Sequence, residues 1–156
     1  MIPEIEKATS DEIKTFQEDK LEGLLTYLNT NSEYYKRIFK QHNVDITTIK
    51  TLEDLRKLPT TTKEELQKHN DDFICVPKHK IIDYVTTSGT LGEPVTFALT
   101  DNDLERLAYN EAISFACAGV KQKDILQLMT TMDRCFMAGL AYFLGVRKLG
   151  AGIIRV

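Results

Sequence analysis

The sequence predicts an α/β fold in which an N-terminal helical segment is followed by a partial sheet. Three observations predict it: apolar residues at helical spacing early in the chain, two strand-like runs around a glycine-containing turn, and a closing strand–helix–strand order. We expect residues 1–80 to be the helical segment and residues 81–156 to be an incomplete α/β subdomain. The two parts are predicted to form one continuous domain.

The first predicted helix carries leucines on one side. Leu21, Leu24, Leu25 and Leu28 follow the i, i+3, i+4, i+7 spacing of a buried helix face. The polar residues 29–31 interrupt this spacing, so we expect the helix to end there.

Capping residues predict further short helices. Ser32 precedes a second apolar stretch and can cap it. Thr51 with Asp54, and Thr62 with Glu65, have the spacing of a capping box, so each pair predicts a helix start.

The middle of the chain changes to strand-like composition. IIDYVTT (residues 81–87) and VTFALT (95–100) are rich in β-branched and aromatic residues, and SGTLGEP lies between them. This order predicts a β-hairpin. Thr100 then offers a cap for a helix, and Gly119 is placed to end it.

The last part of the sequence predicts a right-handed βαβ unit. ILQLMTT (125–131) is typical of a strand buried on both faces, a helix follows up to Gly150, and AGIIRV (151–156) predicts the next strand. Because an apolar edge strand is an aggregation liability, we expect this chain to be a piece of a longer protein, cut inside a domain.

Composition limits the function classes. The chain has 156 residues, 42% of them hydrophobic, and a formal net charge of −3 with scattered basic residues. This argues against nucleic acid or an anionic membrane surface as a partner. The acidic start lacks the pattern of a signal peptide and no apolar run is long enough to span a membrane, so we expect a cytoplasmic protein.

The sequence predicts no metal site among its cysteines and histidines. The cysteines are widely spaced among apolar residues, which predicts buried free thiols rather than a disulfide or a zinc site, and the histidines show no ligand spacing. These residues are Cys75, Cys117, Cys135, His42, His69 and His79.

The stretch TTSGTLGEPVTF (86–97) is the candidate binding loop. It is not a Walker A loop, since Gly92 is followed by Glu93 and Pro94. Glycines let successive backbone N–H groups converge on an anion, and hydroxyl groups add donors. The spacing alone fits a plain hairpin loop as well, and that is the commoner structure.

Several passages resemble one enzyme family. T-S-G-T-L-G-E-P is similar to the [ST]-[ST]-G-[ST]-T-G-x-P loop of adenylate-forming enzymes. From about Leu21 to the end, the chain resembles the phenylacetate-CoA ligase family. The passages that carry the resemblance are NSEYYKRIF, LEDLRKLPTTTKEEL, FICVP and GLAYFLGVRKLGAGIIRV.

The resemblance implies the N-terminal fragment of an ATP-dependent ligase. Such enzymes use ATP and Mg²⁺ to convert a carboxylic acid to an acyl-adenylate and then transfer the acyl group to coenzyme A. Residues 81–156 would be part of the AMP-binding subdomain of the large N-terminal domain, and the catalytic residues would lie beyond residue 156. The fragment alone is therefore expected to be inactive. The residues that match the loop for the β- and γ-phosphates are Thr87, Ser88, Gly89, Thr90 and Gly92.

The chain departs from the family at the loop and at the expected acyl pocket. Leu91 stands where a second threonine is usual, and Glu93 where lysine is frequent. In the segment 130–140, Phe136 and Gly139 match the family, whereas Asp133 falls where an aromatic residue is expected. These three residues are candidates for lining the acyl pocket, and the acid substrate is expected to be phenylacetate-like without being fixed as phenylacetate.

Two other functions stay open at this point. One is a degenerate ligase-like module that binds a nucleotide or a partner without catalysis, which Leu91 and Glu93 favour. The other is an adenylating enzyme with an acceptor other than coenzyme A. Uncovered apolar faces predict a homodimer or self-association.

Overall fold

The structure, a computed structural model, describes residues 3–87 and 94–156. The chain divides into two compact units, Met1–Val76 and Pro77–Val156. The first is helical and the second contains helices and strands, so the predicted α/β class is confirmed.

The described residues contain both α-helices and short 3-10 helices. The α-helices are α1 Ser10–Asn31, α2 Glu33–Gln41, α3 Lys63–Lys68, α4 Asp101–Cys117 and α5 Met137–Leu149. The 3-10 helices are Glu4–Lys7, Ile46–Thr48, Leu52–Lys57, Asn70–Phe73 and Lys78–Lys80.

The described strands form two sheets of two strands each. The first sheet is antiparallel and the second is parallel. The strands are β1 Ile81–Thr86, β2 Thr96–Thr100, β3 Ile125–Leu128 and β4 Gly152–Arg155.

The core of the first unit lies between α1, α2 and the segment that follows them. Leu21 and Leu25 of α1 are buried against Phe39 and Ile49. Leu24 is 52% exposed, so the predicted leucine face is narrower than its spacing indicated. The reason is that α1 packs on its neighbours through the Leu21–Leu25 side, and Leu24 lies on the flank of that contact.

Helix α1 ends at Asn31, and the polar residues that were expected to end it form its last turn. Asn31 Nδ2 donates to the carbonyl oxygen of Tyr27 (2.8 Å), and the hydroxyl of Thr30 donates to the carbonyl oxygen of Thr26 (2.8 Å). Each side chain therefore bonds to a backbone group one turn earlier, which is compatible with a helix. The predicted end of the helix at residues 29–31 is confirmed, since α1 stops at Asn31 and Ser32 follows it as the C-cap residue.

Ser32 joins α1 to α2 and to a distant part of the unit. Its hydroxyl accepts a hydrogen bond from the Tyr35 N–H (3.3 Å) and donates one to the Asp72 carbonyl oxygen (3.0 Å). The predicted cap on α2 is confirmed. Ser32 is also fully buried, so its hydroxyl group depends on these two partners for its hydrogen bonds.

An aromatic layer covers the same region. Tyr34 is 1% exposed and stacks on Phe73 with ring centroids 4.0 Å apart, while Tyr35 meets Tyr34 edge to face at 5.3 Å. Burial raises the pKa of the Tyr34 phenol to about 12, and the neighbouring Glu65 carboxylate adds to this increase. Tyr34 is therefore a neutral core residue at physiological pH.

Both predicted capping pairs form. The Asp54 carboxylate accepts hydrogen bonds from the Thr51 N–H and hydroxyl, both at 2.9 Å, at the start of the 3-10 helix Leu52–Lys57. Glu65 accepts from the Thr62 N–H (2.7 Å), and Thr62 accepts from the Glu65 N–H (3.2 Å), at the start of α3. The nearby Lys57 ammonium and the backbone amides hold the pKa of Asp54 well below its usual range.

The predicted hairpin is confirmed in the second unit. β1 and β2 pair antiparallel from Ile81 opposite Thr100 to Thr86 opposite Thr96, with an irregularity between Ile81 and Asp83. Thr100 then caps α4 together with Asp103. The hairpin therefore leads directly into the helix that packs on α5.

The predicted strand–helix–strand unit also forms, with a shorter first strand. β3 and β4 pair in parallel, from Ile125 opposite Gly152 to Leu128 opposite Arg155. Ile125 is 71% exposed and Met129, beyond the strand, is 80% exposed. The expectation of a strand buried on both faces was wrong, since one face of this two-stranded sheet has no packed layer in the described residues.

Helices α4 and α5 pack closely because Gly145 lies at their crossing. A Cβ atom built on Gly145 would lie 3.0 Å from the Ala112 amide nitrogen and would overlap the Glu111 side chain. Ala112 is fully buried at this contact. Gly150 ends α5 with φ 83°, the left-handed conformation that glycine adopts most readily.

The cysteines differ from their predicted burial. All three are free, but Cys117 and Cys135 are exposed and Cys75 is half-buried. Cys117 lies in the last turn of α4 and Cys135 in a turn, so apolar neighbours in sequence did not place them in the core. Within residues 3–87 and 94–156, no helix is long and apolar enough to cross a membrane.

Replacing Ser32 with alanine should destabilise the first unit by about 1–3 kcal/mol. The variant Ser32→Ala loses a helix cap and the second hydrogen bond that this buried hydroxyl makes, to the Asp72 carbonyl oxygen. Urea unfolding followed by amide NMR signals of residues 3–76 measures the effect. The control Thr30→Ala removes an exposed hydroxyl from α1, and equal stability loss in both variants would contradict the role given to Ser32.

Candidate functional site

The candidate loop begins and ends on paired strands. The Thr87 N–H donates to the Val95 carbonyl oxygen (3.0 Å), and the Val95 N–H donates to Thr87 Oγ1 (3.0 Å). This double contact fixes the base of the loop. The amide of Thr87 is used within the hairpin, so the group that Thr87 can still offer to a ligand is its hydroxyl hydrogen.

The rest of the predicted phosphate loop lies outside the described residues. This applies to Ser88, Gly89, Thr90 and Gly92, and also to the two departures from the family pattern, Leu91 and Glu93. Their role in binding phosphate stays a prediction from sequence.

The end of β1 also contacts the segment before α5. The Thr86 N–H donates to the Cys135 carbonyl oxygen at 2.7 Å, and the Thr86 hydroxyl donates to the Arg134 carbonyl oxygen at 3.3 Å. Thr86 and Phe136 form an isolated parallel bridge. The residue before the candidate loop is thus hydrogen-bonded to the segment in which the acyl-pocket residues were predicted.

That segment contains a tight turn with unusual backbone angles. Arg134 and Cys135 have φ values of 56° and 58°, and the Phe136 N–H donates to the Asp133 carbonyl oxygen (3.2 Å). Positive φ at both central residues is the geometry of a type I′ turn, which normally contains Gly, Asn or Asp. Asp133 does not cap α5 through its side chain, in contrast to the usual role of such a residue.

Gly139 allows the turn to approach α5. A Cβ atom built on Gly139 would overlap the Thr131 carbonyl oxygen and lie 2.9 Å from the carbonyl carbon. Gly139 is buried. Its function in the described structure is close packing, which lets the segment 131–136 lie on the first turn of α5.

A cleft opens at the carboxyl ends of β3 and β4. It has a volume of about 570 Å³ and is lined by Leu128, residues 130–133 and residues 153–156. Asp133 and Arg155 bring one negative and one positive side chain to this cleft, beside the hydroxyls of Thr130 and Thr131. In open α/β sheets, ligands bind outside the carboxyl ends of strands, so this is the candidate site for a polar substrate.

The three predicted acyl-pocket residues occupy different positions. Asp133 lines the cleft, Phe136 is half-buried at the start of α5, and Gly139 is buried beneath Thr131. No group of three or more His, Cys, Asp or Glu side chains in the described part of the chain could hold a metal ion.

The sequence did not predict the hydrogen bonds between Thr86 and the Arg134–Cys135 turn, although Thr86 belongs to the candidate stretch 86–97. Thr86 is one of three consecutive hydroxyl residues, and composition does not distinguish it from Thr87. The Arg134–Cys135 turn had no sequence signal, because neither residue favours positive φ.

Solved structures with the same fold are acyl-CoA ligases. The chain is similar to 2-hydroxyisobutyryl-CoA ligase in an open conformation with 2-HIB-AMP and CoA, with a TM-score of 0.85 and 20% identity over 94% of this chain and 35% of that chain. A second structure of this ligase, in the thioesterification state with the same ligands, gives a TM-score of 0.86 and 22% identity over 94% and 32%. At this identity the similarity establishes the fold alone.

Two curated relatives show which acyl-CoA ligases the chain is similar to in sequence. Phenylacetate-coenzyme A ligase of Escherichia coli is 32% identical over 151 residues, which is 96% of this chain and 34% of the relative. The enzyme of the same name from Thermus thermophilus is 30% identical over 99% of this chain and 35% of the relative. No protein-family model matches the chain.

The resemblance found in the sequence motifs is thereby confirmed. Along nearly its whole length, the chain is homologous to an N-terminal portion of phenylacetate-CoA ligases. It spans about a third of the length of these relatives.

Replacing Gly139 with alanine should destabilise the second unit by about 1–3 kcal/mol, because the new methyl group overlaps the Thr131 carbonyl. Gly23 is the matched control, since it lies in a helix with open space around its Cβ position. Gly23→Ala should raise stability by roughly 0.5–1 kcal/mol. Urea unfolding of both variants tests this, and a stability gain for Gly139→Ala would refute the packing role.

Proposed function

We propose that this chain is the N-terminal part of an ATP-dependent carboxylic acid–CoA ligase that acts through an acyl-adenylate. The observation that carries the proposal is the homology to phenylacetate-CoA ligases along nearly the whole chain. In this proposal the loop at residues 87–92 binds the β- and γ-phosphates of ATP. The substrate carboxylate then attacks the α-phosphorus and pyrophosphate leaves, which requires positioning and charge stabilisation.

The geometry of the described residues supports the proposal that ATP binds at the loop and the acid binds at the cleft. Thr87 stands at the base of the loop, fixed by Val95, and Thr86 ties the same strand to the turn that borders the cleft. A nucleotide tail at the loop and an acid in the cleft would therefore meet near one strand end. Mg²⁺ would arrive with ATP as part of the substrate.

We propose that the acid substrate resembles phenylacetate and carries a polar group. Asp133 replaces an expected aromatic residue and lines the cleft with Arg155, so the described wall contains charge where an aryl group would prefer apolar contact. An acid that carries a hydrogen-bonding group fits this wall better than unsubstituted phenylacetate.

A second candidate function is a degenerate ligase-like module that binds a nucleotide or a partner without catalysis. A third is an adenylating enzyme whose acceptor is not coenzyme A. Leu91 and Glu93 favour the module, since one hydroxyl is missing from the predicted phosphate loop and a carboxylate stands beside it.

We further propose a cytoplasmic location and self-association. The exposed apolar side chains that favour self-association are Ile125, Met129, Ile154 and Val156.

The chain alone should show no ligase turnover. Incubation with ATP, Mg²⁺, phenylacetate and coenzyme A should release no pyrophosphate above a blank, because two thirds of the length of the relatives is not in this chain. The Escherichia coli phenylacetate-coenzyme A ligase serves as the positive control. Turnover by the chain would show that the catalytic groups lie within residues 1–156.

Charge reversal in the loop should strengthen phosphate binding. Glu93→Lys should raise the affinity for Mg²⁺-pyrophosphate about fivefold by calorimetry, as one charge near the anion is worth on the order of 1 kcal/mol at a solvated surface. Gly89→Val should weaken binding because the added side chain restricts the loop backbone.

The matched control for the charge change is Glu64→Lys, which alters the net charge equally at an exposed position of α3. Equal effects of the two lysine variants would indicate a general charge effect. Equal affinity of Gly89→Val and the unaltered chain would remove the phosphate-binding role of the loop.

A further inference from the structure

The cleft at the carboxyl ends of β3 and β4 contains two opposite charges that do not pair with each other. Asp133 and Arg155 both line this cleft. Within residues 3–87 and 94–156, neither side chain forms a salt bridge, with the other or with any third group. Each charge can therefore bind a group of opposite sign on a ligand.

Asp133 is held by its backbone, which leaves its carboxylate available. The Asp133 carbonyl oxygen accepts from the Phe136 N–H at 3.2 Å, and the Asp133 N–H donates to Thr131 Oγ1 at 3.1 Å. The carboxylate itself accepts no hydrogen bond from the part of the chain that the structure describes. Both carboxylate oxygens can therefore accept hydrogen bonds from a ligand, on a residue whose position is fixed.

Arg155 is oriented by an aromatic ring. Its guanidinium carbon lies 5.5 Å from the centroid of the Phe143 ring, and its backbone pairs with Leu128 in the parallel sheet. A guanidinium group over an aromatic face uses its flat side for this contact, so its N–H groups still point outward in the plane. Those N–H groups have the geometry to hold a carboxylate with two hydrogen bonds.

The rest of the cleft wall is largely apolar. Leu128 is buried, and Met132 and Ile153 are half-buried. The cleft volume of about 570 Å³ is that of a typical small-molecule site, in which apolar walls surround a few polar groups. A ligand that fits this cleft therefore combines an apolar body with polar ends.

The two charges discriminate between acids. Unsubstituted phenylacetate carries one negative charge, which Arg155 can bind, but it has no group for Asp133 and brings a ring or a second negative charge toward that carboxylate. An acid that also carries an ammonium group satisfies both side chains. The unpaired carboxylate thus favours the zwitterion and disfavours the simple acid, which is how specificity is built.

We propose that the cleft binds a carboxylic acid that also carries a protonated amine. Asp133 accepts hydrogen bonds from the ammonium group, Arg155 donates to the carboxylate, and the apolar wall contacts the body of the molecule. Asp133 and Arg155 are the residues that determine specificity. The inference rests on the proposed function for the assignment of the cleft as the acid site, and it names the class of acid.

The first test titrates the full chain with three acids, followed by the NMR amide signals of residues 130–136. The acids are phenylacetate, phenylglycine and para-aminomethyl-phenylacetate, so the amine is absent, beside the carboxylate or at the far end of the ring. At neutral pH, at least one aminated acid should bind about fivefold more tightly than phenylacetate, as expected for one added ion pair at a solvated site. If neither binds more tightly, the proposal is overturned.

Two variants separate the roles of the two charges. Asp133→Asn keeps the shape of the side chain and should bind the aminated acid and phenylacetate equally, because only the ammonium group uses this carboxylate. Arg155→Gln should weaken both acids about fivefold, because both carry a carboxylate. A preference for the aminated acid that survives in Asp133→Asn, or unchanged affinities in Arg155→Gln, would overturn the proposal.

Matched controls alter the same charges away from the cleft. Asp19→Asn lies on an exposed position of α1 and Arg106→Gln on an exposed position of α4, and neither residue lines the cleft. Both variants should bind all three acids like the unaltered chain. Effects equal to those of the cleft variants would show a general charge effect and overturn the specific roles of Asp133 and Arg155.

These titrations contain no nucleotide, so they are separate from the test of the ligase function. If an aminated acid binds as expected while Mg²⁺-pyrophosphate does not bind the chain, the phosphate-binding function fails and the inference stands. If phenylacetate shifts the signals of residues 130–136 and the aminated acids bind no more tightly, the inference fails and the proposed ligase function stands.

Discussion

The second unit depends on a contact between the end of one strand and a turn far along the chain. Two-stranded sheets have little stability alone, and the described strands form two of them. Helix α4 packs on α5, and the hydrogen bonds of Thr86 to Arg134 and Cys135 join the end of β1 to the segment before α5. The parallel bridge of Thr86 with Phe136 makes the hairpin adjoin the strand–helix–strand unit.

In the proposed function, this contact would join the predicted phosphate loop to one wall of the proposed acid site. The loop is anchored by Val95, and the cleft is bordered by Asp133, which precedes the turn. Thr86 stands between them. The chemistry proposed for the whole enzyme needs its two substrates at in-line geometry, so a rigid link between their binding segments serves positioning rather than proton transfer.

Much of the fold could be predicted because its signals are local. Capping pairs such as Thr62 with Glu65 place helix starts, and β-branched runs around a glycine turn place the hairpin. The exposure of Leu24 and Ile125 could not be predicted, since it depends on which elements cover each face. The Arg134–Cys135 turn was unpredictable for another reason: its conformation opposes local preference, and its hydrogen-bond partner Thr86 lies 48 positions before Arg134.

The central claim is that the Thr86 amide is bonded to the Cys135 carbonyl. An NMR experiment that detects scalar coupling through hydrogen bonds measures this contact directly, by transfer from the Thr86 amide nitrogen to the Cys135 carbonyl carbon. We expect a resolved coupling, since the nitrogen and oxygen atoms are 2.7 Å apart. No transfer at this pair, in a sample where the Thr87-to-Val95 pair gives a signal, would contradict the account.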